Sequence, residues 1–281
     1  MARAKSKKNL RHEHILAALD GNPAMRVVEL SETLDVSAET IRRDLAELDR
    51  AGSINRTYGG AIRSQVFEPA LAERLKLHVK ERQAIANDAV AALGDANSIF
   101  IGGGATTLHF ARALRSTTRR LLILTPSFNI ATELSANPLL QVMSLPGIVD
   151  GKEGLVHGPE TVAAILRYHA SVAVLGASGI DPSGTSEALM SAAQVYSAMV
   201  ASCERLLILA DCSKFNKRAL QMVAHWSPKV TLITDAAPTE TILTSMETSG
   251  ASITLAAATR LDPATVPHLP AALSLNKTAA S

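Results

Sequence analysis

Aromatic residues are scarce: Phe, Trp and Tyr together make up 3% of the 281 residues. Leu, Ile, Val and Ala must therefore fill any core, and stacking of unpaired bases on aromatic rings is a poor mode of nucleic-acid binding for such a chain. Only two cysteines occur, Cys203 and Cys212. They give neither a disulfide framework nor a metal-ligand spacing, and both read as small buried residues in a reducing compartment. No apolar run approaches the roughly 20 residues that span a bilayer. No apolar segment follows the basic N-terminus, as a secretory signal requires. The expectation is a cytoplasmic protein with no membrane partner. One-sided charge is missing too, because the formal net charge is only +2. Positive charge is local instead: Arg3, Lys5, Lys7, Lys8 and Arg11 stand in residues 1–11 with no acid among them. That run reads either as a basic arm touching phosphates or as a solvated terminus.

What the chain does have is 47% hydrophobic residues, enough for a sizeable core, and a length that suits two ordinary domains. Its most informative stretch runs from Ser37 to Leu45. Ser37 suits a helix N-cap, since its hydroxyl can accept from an unpaired first-turn amide. Ile41, Leu45 and Leu48 recur at i, i+4 and i+7 and define one buried stripe. Thr40, Arg42 and Arg43 then face away from the stripe. A hydroxyl and two guanidiniums on a helix buried along one side suit contact with phosphates and base edges in a major groove; an ordinary surface helix with solvated arginines has the same pattern. Upstream, Ile15, Leu16 and Leu19 support one helix and Val28, Leu30 and Leu34 a second, with Asp35-Val36-Ser37 as the short turn into the third. Downstream, Gly52 can end the helix. Residues 53–61 suit a small β-hairpin wing with Arg56 and Tyr58 placed to reach backbone phosphates.

The string Thr40-Ile41-Arg42-Arg43-Asp44-Leu45, followed after the wing by Gly59-Gly60-Ala61, resembles the DNA-binding domain of the DeoR family of bacterial transcription regulators. The remainder continues the likeness. Short apolar runs at 98–101, 121–124, 141–145, 171–175, 206–209 and 230–234 alternate with helical patterns. This is the signature of a mostly parallel sheet covered on both faces, which binds ligands at the carboxyl ends of its strands. The loops at those ends match the family in order: Gly102 to Thr107, Thr125 to Ser127, Pro146-Gly147, Gly179 to Gly184, and Asp211 to Phe215. The resemblance covers about residues 9–256. It implies an N-terminal α+β winged helix-turn-helix and a C-terminal α/β Rossmann-like parallel sheet of the ribose-5-phosphate isomerase/CoA transferase type. The expected division is 1–63 for DNA binding with the basic arm, 64–80 as linker, 81–260 for effector sensing, and 261–281 as tail.

The chemistry of the sensing loops follows from their residue types. A glycine-rich turn entering a helix can present several amides to one anion. Gly103, Gly104, Ala105, Thr106 and Thr107 fit that role, or form a tight turn with no ligand. Ser127 and Gly147 lie in neighbouring loops. Lys214 can bring a cation to the same phosphate, or pair with Asp211. Asp181 can accept from ligand hydroxyls, or close the turn Pro182-Ser183-Gly184; Glu187 is a weaker candidate of that kind. The family's first loop usually reads Asp-x-Gly-Thr-Thr, whereas Gly102 and Ala105 stand at the Asp and the first Thr. Pro126 replaces an Asn, and Pro146 a Gly. The expectation is a roomier cleft, thinned in hydroxyl contacts, suited to a larger phosphorylated ligand such as a sugar phosphodiester. No acid/base pair assignable from spacing, metal set or cofactor motif is found. The resulting expectation is a repressor of a catabolic operon that binds double-stranded operator DNA as a homo-oligomer, dimer or tetramer, and is released by a phosphorylated metabolite. An isomerase or transferase of the same fold is the alternative.

Overall fold

The computed structural model describes residues 7–21, 24–50, 54–57, 60–63 and 69–256. In chain order the N-terminal unit holds α1 (Lys7–Gly21), β1 (Ala24–Arg26), α2 (Val27–Leu34), α3 (Ala38–Arg50), β2 (Ile54–Thr57) and β3 (Gly60–Arg63). The expected stripe of α3 is buried, and Ile41, Leu45 and Leu48 pack with Ile15 and Leu19 of α1, Val27 and Leu30 of α2, and Ile54 of β2. Val28 was expected on the inner face of α2, but it is 58% exposed. The helix starts at Val27, so Val27 and Leu30 share the inner face three residues apart and Val28 turns outward. Asp35 ends α2 in the left-handed region at φ +49°, which lets the chain turn within three residues into α3. The wing is a three-stranded antiparallel sheet in the order β1-β3-β2. Its short first strand carries no turn signal or alternation long enough to read from sequence.

The basic run at the N-terminus is corrected in part. From Lys7 onward it is helix, and two of its cations face acids of α3. Lys8 Nζ lies 2.5 Å from Glu47, and Arg11 Nε lies 2.5 Å from Asp44. They tie α1 to α3 and do not form a loose arm. Asp44 is buried. Burial alone would raise its pKa, but hydrogen bonds from Arg11 and His12 outweigh that and hold the carboxyl below its usual range. Arg3 and Lys5 lie outside the described residues, as do Gly52, Tyr58, Gly59 and the tail 261–281.

The C-terminal unit continues with α4 (Leu71–Arg74), α5 (Val79–Ala92), β4 (Ser98–Ile101), α6 (Ala105–Leu114), β5 (Leu121–Thr125), α7 (Phe128–Ser135), β6 (Leu140–Ser144), β7 (Ile148–Asp150), β8 (Leu155–His157), α8 (Pro159–Ile165) and β9 (Ala170–Leu175). It ends with β10 (Gly179–Asp181), β11 (Gly184–Glu187), α9 (Met190–Ala201), β12 (Cys203–Leu209), β13 (Gln221–His225), β14 (Val230–Thr234), α10 (Glu240–Thr248) and β15 (Ser252–Leu255). Seven parallel strands form one sheet in the order β15-β14-β12-β9-β4-β5-β6. All six apolar runs expected as strands lie in it. Successive residues of β9 show why they read as continuous: Val172 and Val174 pack with α5, α6 and α7, while Ala173 and Leu175 pack with α8, α9 and α10. β15 was missed because Ser252-Ile253-Thr254-Leu255 is an edge strand without full burial. Cys203 is buried as expected, whereas Cys212 is exposed in a one-turn 3-10 helix.

Candidate functional site

The strand order fixes where a ligand can enter. From β4 the chain steps outward to β5 and β6 on one side. It then returns to place β9 on the other side of β4, and runs outward through β12, β14 and β15. The direction of winding reverses between β4 and β9, and helices leave the two strands on opposite faces there, opening a crevice at the carboxyl ends. A cleft occupies that position. It holds about 470 Å³ of empty space, counting the part open to solvent.

The turn after β4 forms one wall. Gly104 sits at φ +131° as the N-cap of α6, a conformation that glycine adopts without Cβ strain. Gly103, Gly104, Ala105 and Thr106 line the cleft, with Gly176, Ala177 and Ser178 after β9 and Lys214 after β12. Thr107 faces inward: it is fully buried, and its hydroxyl donates to the Gly104 carbonyl at 3.1 Å. Thr107 therefore braces the loop.

Charged groups complete the walls: Glu187 is a weaker candidate from sequence, while no sequence spacing announces Arg74, Arg82 or Glu153. Arg74, Arg82, Glu153 and Glu187 line the cleft. Arg74 Nη2 lies 2.5 Å from Glu153 Oε2, both nearly buried. Arg82 Nε lies 3.1 Å from Asp211 Oδ2, and its Nη1 donates to the Arg74 carbonyl. Ser213 also donates to Asp211. Burial would raise the Asp211 pKa; the Ser213 hydrogen bond and the charges of Arg82, His78 and Lys214 outweigh it and hold the carboxyl below its usual range. Lys214 therefore does not have Asp211 to itself, since Arg82 is the near partner. Glu187 accepts from Ser178 Oγ at 2.9 Å and from the amides of Ala188 and Leu189.

Besides Thr107, three predicted residues are not among those lining the cleft. Ser127 is buried as the N-cap of α7, accepting from the Ile130 amide. Gly147 packs so closely on Thr161 and the His157 carbonyl that a side chain there would collide. Asp181 takes its bland reading: it accepts from the Ser183 amide at 2.7 Å and pairs with Arg218. The expected extra room at Gly102 is also absent. A Cβ there would lie 2.7 Å from Leu175 and 3.0 Å from Tyr196. Tyr196 fills the space and donates its phenol to the Gly103 carbonyl at 3.0 Å. A residue almost a hundred positions away thus occupies what the local sequence suggested was empty.

In the N-terminal unit, Ser37 caps α3, with its Oγ 3.2 Å from the Thr40 amide. Arg42 and Arg43 are exposed, and Arg42 meets Glu39 at 3.5 Å across one helical turn. Such an exposed pair is weak and leaves the guanidinium available to DNA. Arg56 lies on β2; Tyr58 falls outside the described residues.

Residues 11–66 match the DeoR-like helix-turn-helix domain and residues 77–236 the DeoR C terminal sensor domain. The chain belongs to the DeoR family. Among its relatives, the HTH-type transcriptional repressor CsqR of Escherichia coli is 30% identical, over 88% of this chain and 95% of the relative. The glycerol-3-phosphate regulon repressor of Haemophilus influenzae is also 30% identical, over 83% of this chain and 91% of the relative. Of solved structures, ribose 5 phosphate isomerase A from Neisseria gonorrhoeae is 18% identical with a TM-score of 0.35, covering 47% of this chain and 52% of that one. This DeoR-family protein is a DNA-binding transcription regulator, not an enzyme. Among the described residues, no helix is long and apolar enough to cross a membrane.

Proposed function

We propose that the protein represses a catabolic operon in the cytoplasm and leaves its operator when a phosphorylated sugar or sugar phosphodiester occupies the cleft. The observation that carries this reading is the cleft at the winding reversal. There the amides of Gly103 to Thr106 open a ten-residue helix, and Arg74, Arg82 and Lys214 stand around the same space. Amides at a helix start and a movable ammonium are what a phosphate dianion needs. Thr107 supports the turn from behind, and Ser127 and Gly147 shape the neighbouring loops. Residues 1–63 read DNA and 81–260 sense the effector, and the expected linker 64–80 between them lends Arg74 to the cleft.

On the DNA side, Ser37 sets the start of α3, while Thr40, Arg42 and Arg43 reach the groove and Arg56 and Tyr58 the phosphates. A single small module buries only about 600–1,000 Å² on DNA, so the operator is held by a homo-oligomer, dimer or tetramer, on repeated half-sites. The name of the H. influenzae relative ties that protein to a glycerol-3-phosphate regulon, which favours a phosphorylated effector here.

The test starts from an operator selected out of random duplex DNA by the full-length protein. Glucose 6-phosphate, ribose 5-phosphate, glycerol 3-phosphate and a glycerophosphoryl sugar are titrated against the complex. At least one should release the DNA and raise the melting temperature; a ligand at 100 times its Kd stabilises by about 2.7 kcal/mol. A panel that neither releases DNA nor moves the melting temperature overturns the reading.

A further inference from the structure

α4 is a single helical turn, too short to hold its shape without tertiary contacts. Among the described residues it is also the first helix after the wing, with 64–70 between it and β3. Leu71 is buried, and Arg74 projects into the cleft wall. Besides Leu75, which packs on the core, cleft residues hold its far end at two points. Glu153 grips the Arg74 guanidinium, and Arg82, itself anchored on Asp211, donates to the Arg74 carbonyl. Glu153 is presented rigidly from the β7–β8 hairpin, because Asp150 Oδ1 accepts the amides of Lys152 and Glu153 at 2.9 and 3.1 Å. His78 joins α4 to α5 in the left-handed region at φ +50°, where a residue with a Cβ is strained.

An anion arriving at Gly103 to Thr106 therefore meets a guanidinium already committed to a carboxylate, on the element nearest in the chain to the DNA-binding unit. We propose that the Arg74–Glu153 pair is the contact that passes occupancy of the cleft to α4. The anion takes Arg74 from Glu153, α4 re-seats, and the segment leading back to the wing is redirected. Glu153 is then a competitor that sets how tightly the cleft binds, and Arg74 is both a ligand contact and a positioning residue. The inference rests on the reading that the cleft takes a phosphorylated anion.

The test uses full-length protein, the selected operator, and inorganic phosphate and glucose 6-phosphate as probes. Three quantities are read: anion Kd, operator Kd with and without saturating anion, and backbone hydrogen exchange over residues 69–78. In the wild type the anion should weaken operator binding about tenfold, within the usual span of allosteric coupling, and change exchange at 71–75. In Glu153→Gln the anion should bind more tightly, operator binding without anion should already be weakened, and the ratio between the two operator constants should fall to near one. Arg74→Lys keeps a charge but loses the fork, so it should bind the anion more weakly and also lose the ratio; it decides the matter if Glu153→Gln does not fold. If neither anion binds the wild type, this inference and the reading of the cleft fall together. If an anion binds and releases operator in the wild type, yet the variant keeps the wild-type ratio and the wild-type exchange at 71–75, only this inference falls.

Discussion

Asp44 in the N-terminal unit and Asp211 in the C-terminal unit are the same device in two settings. Each is a buried carboxylate held below its ordinary pKa by an arginine and a second donor. Around Asp44 the partners Arg11 and His12 are partly exposed, and the contact fastens one helix to another at the back of α3. Around Asp211 the partner Arg82 is itself 4% exposed, and it forms part of a cleft wall. The surface proposed to read DNA therefore keeps its buried charge on the structural side and presents exposed arginines on the other. The proposed effector cleft puts buried, already compensated charges where the ligand would land. A DNA surface must meet a solvated polyanion without desolvating itself beforehand. A small-molecule cleft gains discrimination from groups that water has already left.

The largest expected effect breaks this comparison at its buried end. Arg82→Ala takes the ion-pair partner from buried Asp211 and removes a donor to the Arg74 carbonyl, so the C-terminal unit should lose about 3–5 kcal/mol. Trp226, the only tryptophan, is buried in that unit, so its fluorescence reports the loss in urea titrations while helical circular dichroism follows α1 to α3 separately. Unfolding at the wild-type urea concentration would show that the pair contributes nothing to the fold. Next comes Lys214→Ala, which should weaken the effector by about 1.5–3 kcal/mol, the range for a charge-assisted hydrogen bond, with operator affinity unchanged. Repression should persist while the metabolite no longer lifts it. Normal induction would remove Lys214 from the site.

At the exposed end, Arg42→Ala and Arg43→Ala should each cost about 1–3 kcal/mol of operator binding if the side chain forks onto a base. Stability should not change, because both side chains point off the buried stripe. Loss of specificity at one base pair marks a base contact, and a smaller salt slope marks a phosphate contact. Unchanged operator affinity in both variants would refute the groove assignment for α3.

The same contrast explains what was legible in the sequence. The reading helix is contiguous: cap, stripe and outward arginines fall within Ser37 to Leu48, and helical spacing alone sorts them. The six apolar strands and the Gly103–Thr106 turn were legible for the same reason, being local. The rest of the cleft is not local. Arg74 and Arg82 stand in a stretch whose composition reads as linker and amphipathic helix. Glu153 lies in a hairpin loop, and Tyr196 on a helix whose other residues are mostly apolar. Only the winding order of the sheet brings them together. Gly102 shows the same limit in reverse, because a missing side chain suggests space until Tyr196 is seen to fill it. Asp181 was a fair reading of its type, yet the Ser183 amide and Arg218 satisfy it locally.

The smallest effect concerns His109, a buried titratable group that neither surface uses. It sits on the inner face of α6, and its Nε2 has no hydrogen-bond partner among the described residues. Burial, then the charges of Arg112 and Arg82, lower its pKa below the ordinary 6.5. The folded pKa is therefore below the unfolded one. Between the two values the unfolded chain binds a proton that the folded chain refuses, so stability rises with pH across that window. It is fully present above about 6.5 and declines as pH falls toward the folded value. The lowered carboxylates Asp44 and Asp211 act in the same direction but lower, beginning near their ordinary value of 3.8. Urea titrations between pH 7 and pH 5 lie above the range of those carboxylates, and His109 contributes a slope of at most about 1.4 kcal/mol per pH unit for one proton, read as the difference between wild type and variant. His109→Gln should flatten that slope while changing operator and effector binding little. A variant that keeps the wild-type slope would place the proton elsewhere, and would leave the unpartnered Nε2 without a measurable consequence for stability.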